Sequence, residues 1–118
     1  MATIRITNLR LRTIIGINDW ERTTPQDVVI NVTMEFDATR AAQSDDIKDT
    51  VDYKTITKKI IKAVEASQFS LLEALTNTIL AIAMEDKKVL NATVRVDKPQ
   101  ALRFADSVSI ELSKKREL

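Results

Sequence analysis

The sequence predicts an α+β domain, with four strands in one antiparallel sheet and two helices on one of its faces. Three patterns predict it. Residues 27–36 alternate, with Val28, Ile30, Val32, Met34 and Phe36 on one parity and Asn31, Thr33 and Glu35 on the other. That is the period-two mark of a half-buried strand. Residues 53–85 instead carry apolar side chains at helical spacing. The order is two strands, two helices, two strands, and runs of one element type favour an antiparallel sheet over the parallel sheet of repeated βαβ units.

Taken in order, residues 4–15 are rich in Ile, Leu and Thr and form the first strand. Its parity switches between the Ile4, Ile6 pair and the Leu9, Leu11 pair, which calls for a bulge near Thr7-Asn8. A polar connection from Gly16 to Gln26 leads into the second strand, which pairs with the first as a hairpin. Residues 37–52 are polar and acidic and are expected to form a loop with a helical turn. From Tyr53 to Ala66, Ile56, Ile60 and Val64 recur every fourth residue behind Asp52, a suitable N-cap. After a break at Ser67-Gln68-Phe69, a second helix runs from Leu71 to about Glu85, with Leu72, Leu75, Ile79 and Ile82 on one stripe. The third and fourth strands are Asn91–Asp97, with Val94 and Val96 inward, and Ser107–Ser113, with Val108, Ile110 and Leu112 inward. Four strands and two helices leave open sheet edges, so a symmetric homo-oligomer that pairs those edges is expected.

At 118 residues the chain reads as one domain spanning 1–118. It has no cysteine and no histidine, which rules out thiolate chemistry, Ser-His-Asp catalysis and the commonest zinc ligand. Proton transfer must therefore use Lys, Glu, Asp, Tyr or water. A net charge of +1 without a basic run gives no push toward nucleic acid. The N-terminus Met1-Ala2-Thr3-Ile4-Arg5 lacks the pattern of a secretory signal, no apolar stretch is long enough for a membrane span, and a cytoplasmic, soluble protein is expected. A single glycine, Gly16, leaves no phosphate-cradling loop.

Two charged residues stand out at element boundaries. Glu73 follows Ser70 at capping-box spacing, and on the residues alone the cap is the favoured reading. Otherwise its carboxylate could hold the amidine-like N–H edge of a flat heterocycle with two parallel hydrogen bonds. Lys98 ends the third strand with the inward parity of Val94 and Val96. It could snorkel to water, or in a partly apolar cleft serve as a usable base. Arg10, Arg12 and Arg103 read as exposed charges and Trp20 as a packing or subunit-contact residue.

The stretches GINDWERT (Gly16–Thr23), DTVDYKT (Asp49–Thr55), FSLLEALT (Phe69–Thr76) and VDKPQALRFADSVSIEL (Val96–Leu112), in that order within ββααββ, resemble the dihydroneopterin aldolase family over nearly all of residues 3–113. The resemblance implies the tunnelling fold, in which subunit sheets join edge to edge into a barrel and two rings stack, typically as an octamer. It implies a reduced-pterin substrate, no metal, no cofactor, and a site shared between subunits. In that site Glu73 would anchor the pterin, with Leu72 and Val51 beside it. Lys98 would be the catalytic amine, Tyr53 would come from across the interface, and Glu21 would lie near the reacting hydroxyls. A phosphorylated substrate would also need cations, with Arg103 first and Arg12 second.

Within the family, NLRLRT (Asn8–Thr13) and ALRFADSVS (Ala101–Ser109) favour the branch that epimerises C2′ of the triphosphorylated pterin, whereas Asp19-Trp20-Glu21 resembles some aldolases. The alternatives are the aldolase of folate synthesis and, from another class, an assembly that binds a pterin or purine without turning it over.

Overall fold

The computed structural model describes residues 1–117. Along the chain run β1 (Ala2–Ile15), β2 (Gln26–Phe36), the short helix α1 (Thr39–Ser44), α2 (Tyr53–Glu65), β3 (Gln68–Phe69), α3 (Leu72–Ala83), β4 (Asn91–Lys98) and β5 (Val108–Lys115), with single 3-10 turns at Asp19–Arg22 and Ile47–Asp49. The sheet order is β3-β1-β2-β4-β5. All pairings are antiparallel except β1 with β3.

The four expected strands are present, and β3 is the addition that makes the sheet five-stranded and mixed. Gln68 and Phe69, expected to be only a break between helices, lie parallel to Ile14 and Ile15. Two residues are too few for alternation to be read, so position decides the pairing. Thr13 sets that position: its buried hydroxyl donates to the Val64 carbonyl at 2.7 Å, docking the end of α2 on β1 just before β3 begins.

The bulge in β1 falls where the parity switch puts it, as a register shift between Ile6 and Leu9. Asn8 adopts φ +54°, a conformation asparagine tolerates better than most residues. Its N–H donates to Asn31 Oδ1 at 3.0 Å, and Asn31 Nδ2 donates to Asn8 Oδ1 at 3.2 Å. Ile4, Ile6, Leu9 and Leu11 therefore all pack toward the core.

The core lies between sheet and helices. Val28, Ile30, Val32, Met34, Val94 and Val96 meet Ile56, Ile60 and Val64 of α2 and Leu75, Ile79, Leu80 and Ala83 of α3. Burying each such aliphatic side chain contributes about 1.5–3 kcal/mol for the larger ones. Val108, Ile110 and Leu112 keep the expected parity but are only half-buried, because β5 is an edge strand. Asp52 caps α2 as expected, accepting from the Thr55 N–H at 3.2 Å.

This topology gathers three chain features at one end of the sheet. Those are the turn after β1, the entry to α3 behind β3, and the end of β4, where Asp97 pairs with Val29 near the start of β2. Among the described residues, β5 has no outer neighbour and β1 is open from Ala2 to Thr13. The body is long and thin, 52 × 24 × 23 Å.

Candidate active site

At that end lies a cleft of about 260 Å³, lined among others by Gly16, Ile17, Glu21, Leu71, Leu72, Glu73, Lys98 and Ala101. Ile17 and Leu71 form an exposed apolar rim, 71% and 53% accessible. The volume falls just below the usual range of small-molecule sites.

Glu21 is the centre of its polar wall. It is 4% exposed, on the 3-10 turn Asp19–Arg22. Oε1 accepts from the Asn18 N–H at 3.2 Å and from Asn18 Nδ2 at 2.8 Å. Oε2 accepts from Gln26 Nε2 at 2.9 Å and from the ammonium of Lys98. The hydrogen bond from Lys98 is the largest cause, helped by Gln26 and Asn18 and opposed by burial, that lowers the Glu21 pKa from 4.5 to about 2. Gly16 makes room for this carboxylate. A Cβ there would lie 2.2 Å from Glu21 Cδ, and φ at Gly16 is +129°, which suits only glycine.

A carboxylate with a depressed folded pKa stabilises the fold above its ordinary pKa, and that contribution fades as pH falls toward the folded value. The gap in melting temperature between the wild-type protein and Glu21→Gln is therefore expected to hold down to about pH 4.5 and to close as pH falls to about 2. Paired thermal melts across that range check it, and a gap independent of pH would mean the ion pair contributes nothing.

The expected capping box at Ser70 and Glu73 does not form. Leu71 is the N-cap of α3, in extended conformation and without a side-chain hydrogen bond. β3 draws the chain one residue past Ser70 before the helix can start. Glu73 is thus an exposed carboxylate in the first turn of α3, favourably placed at the positive end of the helix dipole.

One chain brings together Glu21, Leu72, Glu73 and Lys98 but not the other anticipated residues. Tyr53 is half-exposed at the start of α2, whose other end is the one docked beside Thr13. At 1.5 Å per residue the helix carries Tyr53 roughly 18 Å from that end. Val51 lies just before it with its side chain fully buried in the core, so only its backbone could meet a ligand. Arg12 faces away from the helices, bonded to Asp27 at 3.2 Å and to the Pro25 carbonyl at 3.0 Å. Arg103 is exposed over the Phe104 ring, 5.5 Å from its centroid, two residues beyond Ala101 of the cleft wall.

Sequence reasoning missed Gln26, Asn18 and Gly16 as partners of Glu21. Gln26 did carry a signal, since it is the one polar residue on the inward parity of β2. The sole glycine of the chain, next to an acid five residues on, was another. Among the described residues no cluster of His, Cys, Asp or Glu could hold a metal ion. No helix among them is long and apolar enough to cross a membrane.

The sequence profile of the family described as FolB, dihydroneopterin aldolase, matches residues 4–113. Dihydroneopterin triphosphate 2′-epimerase of Escherichia coli K12 is 54% identical over 115 residues, 98% of this chain and 96% of that protein. Dihydroneopterin aldolase of the same organism is 29% identical over 110 residues, 93% of this chain and 90% of that one. The crystal structure of E. coli dihydroneopterin aldolase in complex with neopterin superposes with a TM-score of 0.91 at 28% identity, covering 97% of this chain and 99% of that one.

Proposed function

The chain belongs to the dihydroneopterin aldolase family, and on that premise we propose that it is an enzyme that inverts C2′ of 7,8-dihydroneopterin triphosphate by retro-aldol cleavage and re-addition. The observation that carries the chemistry is the Lys98–Glu21 pair facing Glu73 across one cleft. The likeness to the epimerase, 54% against 29% for the aldolase, favours inversion over release.

Glu73 accepts the N–H edge of the pterin with both oxygens, placing the side chain of the substrate toward Lys98. Lys98 moves protons through water, and Glu21 holds and charge-balances its amine. Removing the 2′-hydroxyl proton lets the C1′–C2′ bond break. Its electron pair passes into the ring as an enamine, N5 takes up a proton, and C2′ becomes an aldehyde carbon still bearing the phosphorylated tail. If the aldehyde turns over before C1′ attacks it, C2′ is inverted and the protons return. If C1′ is protonated and the aldehyde leaves, the outcome is an aldolase reaction. Retention of the fragment decides between them. The ring is the electron sink, so no Schiff base to Lys98 is needed.

The test is to incubate the pure protein with dihydroneopterin and with its triphosphate and separate the products by chromatography. Monapterin-type product supports the reading. 6-Hydroxymethyl-dihydropterin as the only product makes the chain an aldolase, and binding without turnover makes it a carrier.

The tail needs cationic partners, and Arg103 is exposed two residues beyond Ala101 of the cleft wall. A charge-assisted contact is worth about 1.5–3 kcal/mol, so Arg103→Ala is expected to raise KM for the triphosphate roughly tenfold. High salt should mimic part of that rise, and the unphosphorylated substrate should be nearly indifferent. Equal effects on both substrates would remove Arg103 from the phosphate site.

The site is shared between subunits in this reading, with Val51 and Tyr53 of a neighbour completing the cleft. Tyr53 lies outside the cleft of its own chain, at the far end of α2 from Thr13, and the open edges of β1 and β5 invite pairing. Sizing with light scattering is expected to find an octamer of the 13.3 kDa chain. An active monomer would defeat the shared site.

A further inference from the structure

Arg22 is a half-buried cation with no carboxylate partner among the described residues. Nη1 donates to the carbonyls of Gly16 and Phe69, each at 3.0 Å, and Nη2 donates to the carbonyl of Gln68 at 2.6 Å. These three acceptors belong to two neighbouring segments that lead into the lining of the cleft. Gly16 precedes the turn that carries Glu21, and Gln68-Phe69 leads through Ser70 and Leu71 to Glu73. Among the described residues, the other bonds between those segments are a two-residue parallel ladder and the Gly16 N–H to Phe69 carbonyl bond at 3.1 Å, with Thr13 bonded to Ser67 just before them.

We infer that Arg22 is a positioning residue, whose guanidinium fork holds the turn bearing Glu21 at a set distance from the entry to α3, and so aligns the Lys98–Glu21 pair with the pterin anchor. The geometry favours this over a purely stabilising role. A planar fork can bridge three carbonyls in fixed directions, which a point charge cannot. The two segments also differ in support. α3 is held by Leu75, Ile79 and Leu80 in the core, whereas the turn Asp19–Arg22 buries only Glu21. Without the clamp the turn should shift and the anchor should stay. The chemical part of this inference rests on the function proposed above; the placement of Glu21 does not.

Three variants test it, Arg22→Met, Arg22→Lys and Arg22→Ala, with two readouts. In the substrate-free protein, carboxyl-carbon NMR follows the titration of Glu21. Wild-type Glu21 is expected to titrate near 2, and Arg22→Met should move it up toward 4.5 as the Lys98 contact loosens. In turnover, kcat should fall about 10- to 100-fold, the scale of a small misplacement of reacting groups, with pterin affinity within about twofold. Arg22→Lys should restore little, because it keeps the charge but loses the fork. In Arg22→Ala, millimolar guanidinium should recover part of kcat where sodium chloride does not. A folded Arg22→Met protein with wild-type Glu21 titration overturns the inference, and so does a variant set that only unfolds. Wild-type protein without pterin turnover would sink the proposed function instead, while the titration readout still stands.

Discussion

Lys98→Ala is expected to lower kcat by about 100-fold or more, the usual scale for loss of a proton-transfer group, with pterin affinity nearly unchanged. The structure explains why the two should separate. Lys98 ends β4 against Glu21, while Glu73, the proposed ring anchor, lines the same cleft from α3. Removing the amine leaves a buried carboxylate, but Glu21 keeps its bonds from Asn18 and Gln26. The protein should therefore fold with a lowered melting temperature rather than collapse. Single-turnover rates and equilibrium binding of a reduced pterin are the measurements. Equal losses in rate and affinity would mean that the lysine only binds.

Glu73→Gln is expected to weaken pterin binding roughly tenfold or more, because a charge-assisted pair worth about 1.5 kcal/mol or above becomes a single neutral acceptor. Thermal stability should hardly change. Glu73 is exposed and Leu71, not Ser70, caps α3, so no cap is lost with the charge. Titration calorimetry with a reduced pterin, beside a thermal melt, separates the two roles. Intact affinity with a large drop in melting temperature would mark Glu73 as a structural residue.

The elements themselves were legible because their signals are local. Alternation through Val28–Phe36, four-residue recurrence through Ile56–Val64, the Asp52 cap and the parity switch at Thr7-Asn8 each depend on neighbours within a few positions, and each has its counterpart in the structure. β3 was not legible, because two residues carry no period and their pairing follows from where Thr13 docks α2. The Ser70–Glu73 spacing misled for the same reason, since the competing pull on that backbone comes from β1, more than fifty residues earlier.

The site divides along the same line. Sequence by itself determined that a histidine- and cysteine-free chain must move protons with Lys, Glu, Asp, Tyr or water, and that Lys98 shares the inward parity of β4. Only the tertiary structure decided that Glu21, 77 positions away, is its partner, that Gln26 and Gly16 exist to accommodate that partner, and that Arg22 bridges the two segments leading into the cleft lining. It also decided that Tyr53, Val51 and Arg12 lie outside the cleft that Lys98 lines within one chain. The physical reason is the range of the interactions. Periodicity and capping are written within a few bonds of backbone, whereas an ion pair or a clamp depends on which strand ends the fold brings side by side.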